Sequence, residues 1–178
     1  DNSATTTHSI TIKDIAFQGF GSGSGNNGIV VSGANERFNW KVSNVKFSAF
    51  GGTPFLSSGG AIFTSSWEDV DIDQPSGASG HGFDANGAQT NSLKRTYVHN
   101  VATGFAAYRL RQGAWTLEAV NGIDSGTTAN WGIFGQQTSD DGTDTYAQIT
   151  FQSSNVEDWT ATDGLIFRIG SFGSFFNT

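Results

Sequence analysis

Apolar and polar residues alternate with period two along most of the chain, and helical periodicity is nearly absent. Six of these alternating runs end in Asn or Asp followed by Ile or Val, once with Gly between. They are Lys13-Asp14-Ile15, Ser43-Asn44-Val45, Glu68-Asp69-Val70, His99-Asn100-Val101, Asn121-Gly122-Ile123 and Ser154-Asn155-Val156. The intervals between the Asn/Asp anchors are 30, 25, 31, 21 and 34 residues. Recurrence at 20–50 residues is the signature of a solenoid. Asn and Asp suit a corner because they tolerate the left-handed region and bond nearby backbone.

A second landmark follows each anchor, a Gly and an apolar residue that open another strand. It reads Gly28-Ile29, Gly82-Phe83, Gly104-Phe105, Gly132-Ile133 and Gly164-Leu165, with Pro54-Phe55 in the second repeat. The pattern predicts a single all-β domain over residues 1–178, a parallel β-helix of about six coils. The coils fall near 9–37, 38–61, 62–91, 92–114, 115–148 and 149–174. Stacked rungs lie about 4.8 Å apart, so six coils span about 29 Å. No lone coil buries its inner face, and the stack folds as a unit. A β-sandwich also has short strands and turn signals, and is the competing architecture. The hexapeptide regularity of a left-handed β-helix is missing.

The anchors assign facing. Positions four and two before them point inward: Ile10/Ile12, Trp40/Val42, Ser65/Trp67, Thr96/Val98, Leu117/Ala119 and Phe151/Ser153. A first-strand ladder is expected to include Phe38, Phe63, Trp115 and Ile149. Outward on the Gly-led strand come Val30/Ser32, Leu56/Ser58, Asp84/Asn86, Ala106/Tyr108, Phe134/Gln136 and Ile166/Arg168. The first members of these pairs are mostly apolar, and an outward apolar stripe marks packing against loops or a second chain.

Composition removes several functions. The formal charge is −7 with only nine Lys and Arg and no basic run, which argues against duplex nucleic acid as a partner. There is no Cys, so disulfides and thiolate metal sites are impossible. No apolar stretch has the length of a membrane helix, and no membrane insertion is expected. Met is absent even at position 1, so the chain is expected to be processed or part of a longer one. The 24 Gly and 13% aromatic residues fit short strands joined by polar turns.

From about Ser9 to Gly170 the coil pattern resembles the right-handed parallel β-helix of pectate-lyase-like proteins. Its Gly/Ser/Thr/Asn-rich, cysteine-free style and irregular coil lengths look most like a bacteriophage tailspike or tail-fibre segment. That resemblance implies a homotrimer in a virion tail, outside the host cell. The implied partners are other tail proteins and host cell-surface polysaccharide, which the protein would bind or depolymerise.

Cleavage of a glycoside needs two carboxylates, about 5–5.5 Å apart for retention or about 6.5–9.5 Å for inversion. The acidic candidates are Asp71 or Glu157 with Asp124, and Glu68 with Glu118 two coils apart. Candidates for contacting sugar are Asn86, Tyr97, Tyr108, Arg109, Gln136, Arg168 and Trp159, as aromatic faces and hydroxyl partners. For each of these residues a solvated surface, core packing or a salt bridge is the competing role. Trp67-Glu68-Asp69-Val70-Asp71-Ile72-Asp73 concentrates four acids, and alternating oxygen ligands suit Ca²⁺. A bend at Asp69 breaks that alternation, so no cofactor is expected. The Asp140–Asp144 loop is likewise oxygen-rich but reads as an ordinary Asp/Gly turn. Gly80-His81-Gly82 is similar to the Gly-His-Gly of polygalacturonases, but the accompanying Asn-Thr-Asp is missing and the similarity carries no catalytic role. His99 beside Asn100 reads as a surface residue at a bend.

The leading expectation is a tailspike or tail-fibre β-helix acting on host polysaccharide. Whether it is an enzyme, a glycoside hydrolase or lyase, stays open. A non-catalytic structural fibre segment is the first alternative, and a secreted polysaccharide lyase or hydrolase the second. An ice-binding solenoid is remote, because no regular Thr-x-Thr ladder repeats along the chain.

Overall fold

Strands with two faces must bury one of them, and here the two sheets of one chain share a core between them. The computed structural model is all-β and winds as a parallel β-solenoid. It describes residues 7–22, 26–32, 37–57, 61–75, 77–86, 90–101, 105–111, 113–123, 131–136, 147–153, 155–157, 167–169 and 175–177. For 7, 37, 38, 61–63, 121–123, 131–136, 147, 148, 155–157, 167–169 and 175–177 it describes the backbone alone. Among the described residues there are strands and no helix. The strands are β1 (Thr7–Gly21), β2 (Ile29–Val31), β3 (Arg37–Phe50), β4 (Phe55–Ser57), β5 (Ala61–Asp73), β6 (Phe83–Asn86), β7 (Thr90–His99), β8 (Ala106–Arg111), β9 (Gly113–Glu118), β10 (Asn121–Ile123), β11 (Trp131–Gln136), β12 (Ala147–Gln152), β13 (Asn155–Glu157), β14 (Phe167–Ile169) and β15 (Phe175–Asn177).

Two parallel sheets result. The first runs β1-β3-β5-β7-β9-β12-β15, with β10 beside β7 and β13 beside β10; the second runs β14-β11-β8-β6-β4-β2. Each rung of the first sheet turns at a residue with positive φ, inside the long strands β1, β3, β5 and β7 and just after β9 and β12. These residues are Asp14, Asn44, Asp69, Arg95, Ala119 and Ser153, with φ of 55, 52, 54, 47, 50 and 49°. Register places them in one column: Glu68 pairs with Lys94 and Val70 with Thr96, which sets Asp69 beside Arg95. The same bracketing holds for the other rungs.

The anchors at Asp14, Asn44 and Asp69 are therefore the bend. In the later rungs the bend precedes the anchor, by five residues at Arg95 and by two at Ala119 and Ser153. Asn100 is also left-handed, with φ 60°, but at a second corner that it shares with Ala49 at φ 59°. Arg and Ala lack the short polar side chain that bonds locally, so nothing in the sequence marks them as left-handed. Arg95 is held instead by its ion pairs: Nε and Nη2 donate to Asp69 at 2.6 and 2.9 Å, and Nη2 donates to Glu68 at 2.6 Å.

Inward columns follow from this register. One runs Ile10–Trp40–Ser65–Asn91–Trp115–Ile149, the next Ile12–Val42–Trp67–Leu93–Leu117–Phe151. Trp115 and Ile149 share a column as expected; Phe38 pairs with Ile62 before a register shift and stands outside it. The buried Ser65 and Asn91 would be costly alone, and they bond each other at 2.8 Å across the rung step. Trp67 ties the sheets together. It has no exposed surface and lies edge-on to Phe55 at 4.5 Å and Phe83 at 5.0 Å, with Trp40 at 6.0 Å on its own sheet.

The Gly-led landmark has a steric cause. At Gly28 a Cβ would collide with the Pro54 carbonyl oxygen, and at Gly82 with Val98 Cγ1 and the Ala107 carbonyl. In the fourth repeat Phe83 pairs with Tyr108 rather than with Phe105, so the register there lies three residues beyond the Gly104-Phe105 landmark. Gln74, buried in the corner, donates to the carbonyls of Gly52, Gly80 and His81 at 3.1 to 3.3 Å and pins two successive loops together.

Replacing Trp67 by Ala is expected to cost about 3–5 kcal/mol, measured as a lower denaturant midpoint. Ala119→Gly is expected to raise stability by about 1 kcal/mol, because Gly carries no Cβ penalty at positive φ. An unchanged or lower midpoint for Ala119→Gly would contradict the left-handed bend at that rung.

Candidate functional site

Beyond the bend, the outer face of the first sheet carries two columns. One is Ala16–Lys46–Asp71–Tyr97, the other Gln18–Ser48–Asp73–His99; in backbone register Asn121 and Asn155 follow Tyr97, and Ile123 and Glu157 follow His99. Their middle rungs converge on a cleft of about 300 Å³ lined by Lys46, Asp71, Asp73, His99 and Asn100. Asp71 is its hub: Lys46 Nζ donates to Oδ2 at 2.9 Å and His99 Nε2 lies 3.0 Å from Oδ1. That bond and the charge of Asp71 raise the Lys46 pKa. Asn100 Nδ2 donates to Asp73 Oδ1 at 2.8 Å. Tyr97, 38% exposed, and His99 stand on one face of β7 with rings 8° from parallel and centroids 6.2 Å apart. Two near-parallel rings flanked by two carboxylates of the next rung offer apolar faces and hydrogen-bond acceptors side by side.

The column before the bend is Lys13–Ser43–Glu68–Lys94–Glu118–Gln152. Glu68 and Glu118 do stand two rungs apart, with Lys94 between them. Each is engaged, Glu118 by Lys94 at 3.0 Å and Glu68 by Arg95 at 2.6 Å. The Arg95 bond also holds the Asp69 carboxyl below its ordinary range. Further along the same face Ser9, Thr11, Asn39, Lys41, Thr64 and Ser66 line a shallow trough of about 390 Å³.

The second sheet carries a different cluster. Asp84 is buried on its face, with Arg111 Nε at 2.9 Å and Arg109 Nη1 at 3.3 Å. Burial pushes the Asp84 carboxyl up, and the two guanidinium groups pull it back. Arg111 also donates to the Ser57 carbonyl. His81 Nδ1 accepts the Ala106 N–H at 2.9 Å, which puts the ring proton on Nε2. Burial, aided by the charges of Arg109 and Arg111, holds His81 down to about 3.

The sequence candidates fall as follows. Asp71 and Tyr97 meet in register on adjacent rungs. Arg109 is bound to Asp84, and Asn86 pairs in register with Arg111, which pairs with Gln136. Arg168 pairs in register with Phe134, and Glu157 with Ile123. Tyr108 points inward, fully buried; its hydroxyl donates to the Thr96 carbonyl at 3.0 Å, and burial raises its pKa. Asp124, Trp159 and the Asp140–Asp144 loop lie outside the described residues. The bend turns Asp69 away from the face that Asp71 and Asp73 share, and among the described residues no three His, Cys, Asp or Glu converge as metal ligands. Sequence reasoning did not single out Asp73, His99 and Asn100 as a group. Only the true register of the fourth rung brings them beside Asp71. No family model, curated protein or solved structure matches the chain.

His81 gives a pH prediction. Its folded pKa of about 3 lies below the unfolded value of 6.5, so its contribution is complete above 6.5 and is lost as pH falls toward 3. His81→Asn keeps an acceptor near Nδ1 and cannot take up the proton. Stability measured by denaturant should fall less steeply between pH 6.5 and 3 in the variant than in the parent; parallel curves would refute a buried neutral His81.

Proposed function

We propose that this β-solenoid binds a polysaccharide on the outer face of its first sheet, beyond the bend. The observation that carries the reading is the parallel pair Tyr97 and His99 set directly beside Asp71 and Asp73. Pyranose rings present apolar C–H faces to aromatic side chains and hydroxyls to carboxylates and amides, and this surface supplies both. Register repeats every rung, so the face extends as a strip that suits an extended chain.

The resemblance to tailspike and tail-fibre β-helices gives the biological setting of the proposal. It is a right-handed helix of about six coils within a homotrimer of a virion tail, recognising host cell-surface polysaccharide. In its enzymatic form, Asp71 and Asp73 act as the carboxylate pair. They stand two residues apart on one strand face, a Cα spacing of about 6.6 Å along the strand. A structural fibre segment is the second reading. It is favoured by exposed apolar residues on the terminal strands β1 and β2: Phe20 at 97%, Val30 at 49% and Ile15 at 46%.

The test is affinity electrophoresis against a panel of purified capsules and O-antigens, with reducing ends assayed after incubation and mass measured by light scattering. The proposal expects retardation by at least one polysaccharide and a loss of about tenfold or more in affinity for Tyr97→Ala/His99→Ala. Release of oligosaccharide, abolished by Asp71→Asn or Asp73→Asn, distinguishes the enzymatic form. No retardation and no release across the panel would overturn the reading in favour of a structural segment.

A further inference from the structure

We infer that the cleft beside Tyr97 takes a sugar bearing a free amine, an inference that rests on the polysaccharide reading above. Several charges on this face are answered by neighbours: Lys46 by Asp71, Lys94 by Glu118, Arg95 by Asp69 and Glu68. Asp73 is different. Its bond comes from a neutral amide, Asn100 Nδ2, and its second oxygen has no partner among the described residues. Its rung neighbours are Ser48 and His99, and the contact of His99 goes to Asp71. Lys46, which lines the cleft, is bonded to Asp71, and the charge of Asp73 acts on it only through space.

The aromatic pair points the same way. An ammonium group is drawn to the face of a Tyr ring and to a carboxylate, and the exposed Tyr97 stands on the rung beside Asp71 and Asp73. A hexosamine with an unacylated amine places its cation on the ring whose C–H face packs on Tyr97, so one residue of the chain satisfies both. The formal charge of −7 disfavours polyanionic chains over the same surface. Asn100 fixes one Asp73 oxygen and leaves the other to receive the ligand.

The probes are a fully deacetylated glucosamine hexasaccharide, its fully N-acetylated counterpart and a galacturonate hexasaccharide, titrated calorimetrically at low salt. The deacetylated form is expected to bind at least tenfold more tightly than the N-acetylated form, and the galacturonate weakest. Asp73→Asn should bring the first two within about twofold. Asp14→Asn removes the same charge at the end of the bend column and preserves the bond from Asn44, so it should leave the ratio in place. Unchanged thermal unfolding of both variants establishes that they fold. Equal or tighter binding of the N-acetylated or anionic form would overturn the amine preference while leaving polysaccharide binding intact. An equal loss in Asp14→Asn would overturn the role of Asp73. Failure to bind these probes and every polysaccharide of the earlier panel would overturn both.

Discussion

In-register parallel stacking sets each residue of a rung about 4.8 Å from its equivalents above and below. Like charges at that distance repel, and a buried polar group there needs its neighbour as a partner. The outward columns obey the first condition. Asp14, Asn44, Asp69 and Arg95 follow one another at the bend, and Lys13, Ser43, Glu68, Lys94 and Glu118 beside it, with no like charges on adjacent rungs. The interior obeys the second, with Ser65 on Asn91 and Thr96 against Tyr108. The left-handed bend makes the columns possible, because it turns every long strand at the same place.

That constraint explains what could be read from the chain alone. Period-two alternation and the Asp14, Asn44 and Asp69 anchors led to a parallel solenoid, since those residues do in the fold what their chemistry favours. The fourth rung broke the rule. Its bend is Arg95, whose conformation depends on carboxylates of the preceding rung rather than on its own side chain. Such support comes from 26 and 27 residues away and leaves no local mark. Asn100-Val101 a few residues on then carried the expected signature at a different corner. The slip reaches the second sheet as one of three residues, with Tyr108 rather than Phe105 opposite Phe83, and being odd it moved Tyr108 from the outer face to the core. It also separated Tyr97 and His99 from Asp71 and Asp73, so half of the candidate cleft was visible and its composition was not.

The two clusters differ in how freely they can meet a ligand. On the second sheet, Asp84 is buried and held by Arg109 and Arg111, and His81 is kept neutral beside them. Breaking one partner from such a group leaves a buried charge, which is costly, so the arrangement resists rearrangement. It reads as scaffolding that fixes the second sheet. The groups of the cleft on the first sheet are partly exposed, and their ion pairs contribute little to stability. Exchanging such contacts for those of a ligand costs correspondingly little.

Stacking also limits what a solenoid face can recognise. Where every charge faces an opposite charge one rung away, the surface presents dipoles and offers little net attraction to any ion. Recognition then concentrates where the alternation fails. Along the described outer columns one such place is Asp73, between Ser48 and His99, with an amide in place of a bonded cation. An irregularity of one rung thus gives a repetitive surface a direction and a preferred register for its ligand, because a chain sliding along the strip meets an unbalanced carboxylate beside exposed rings at one position.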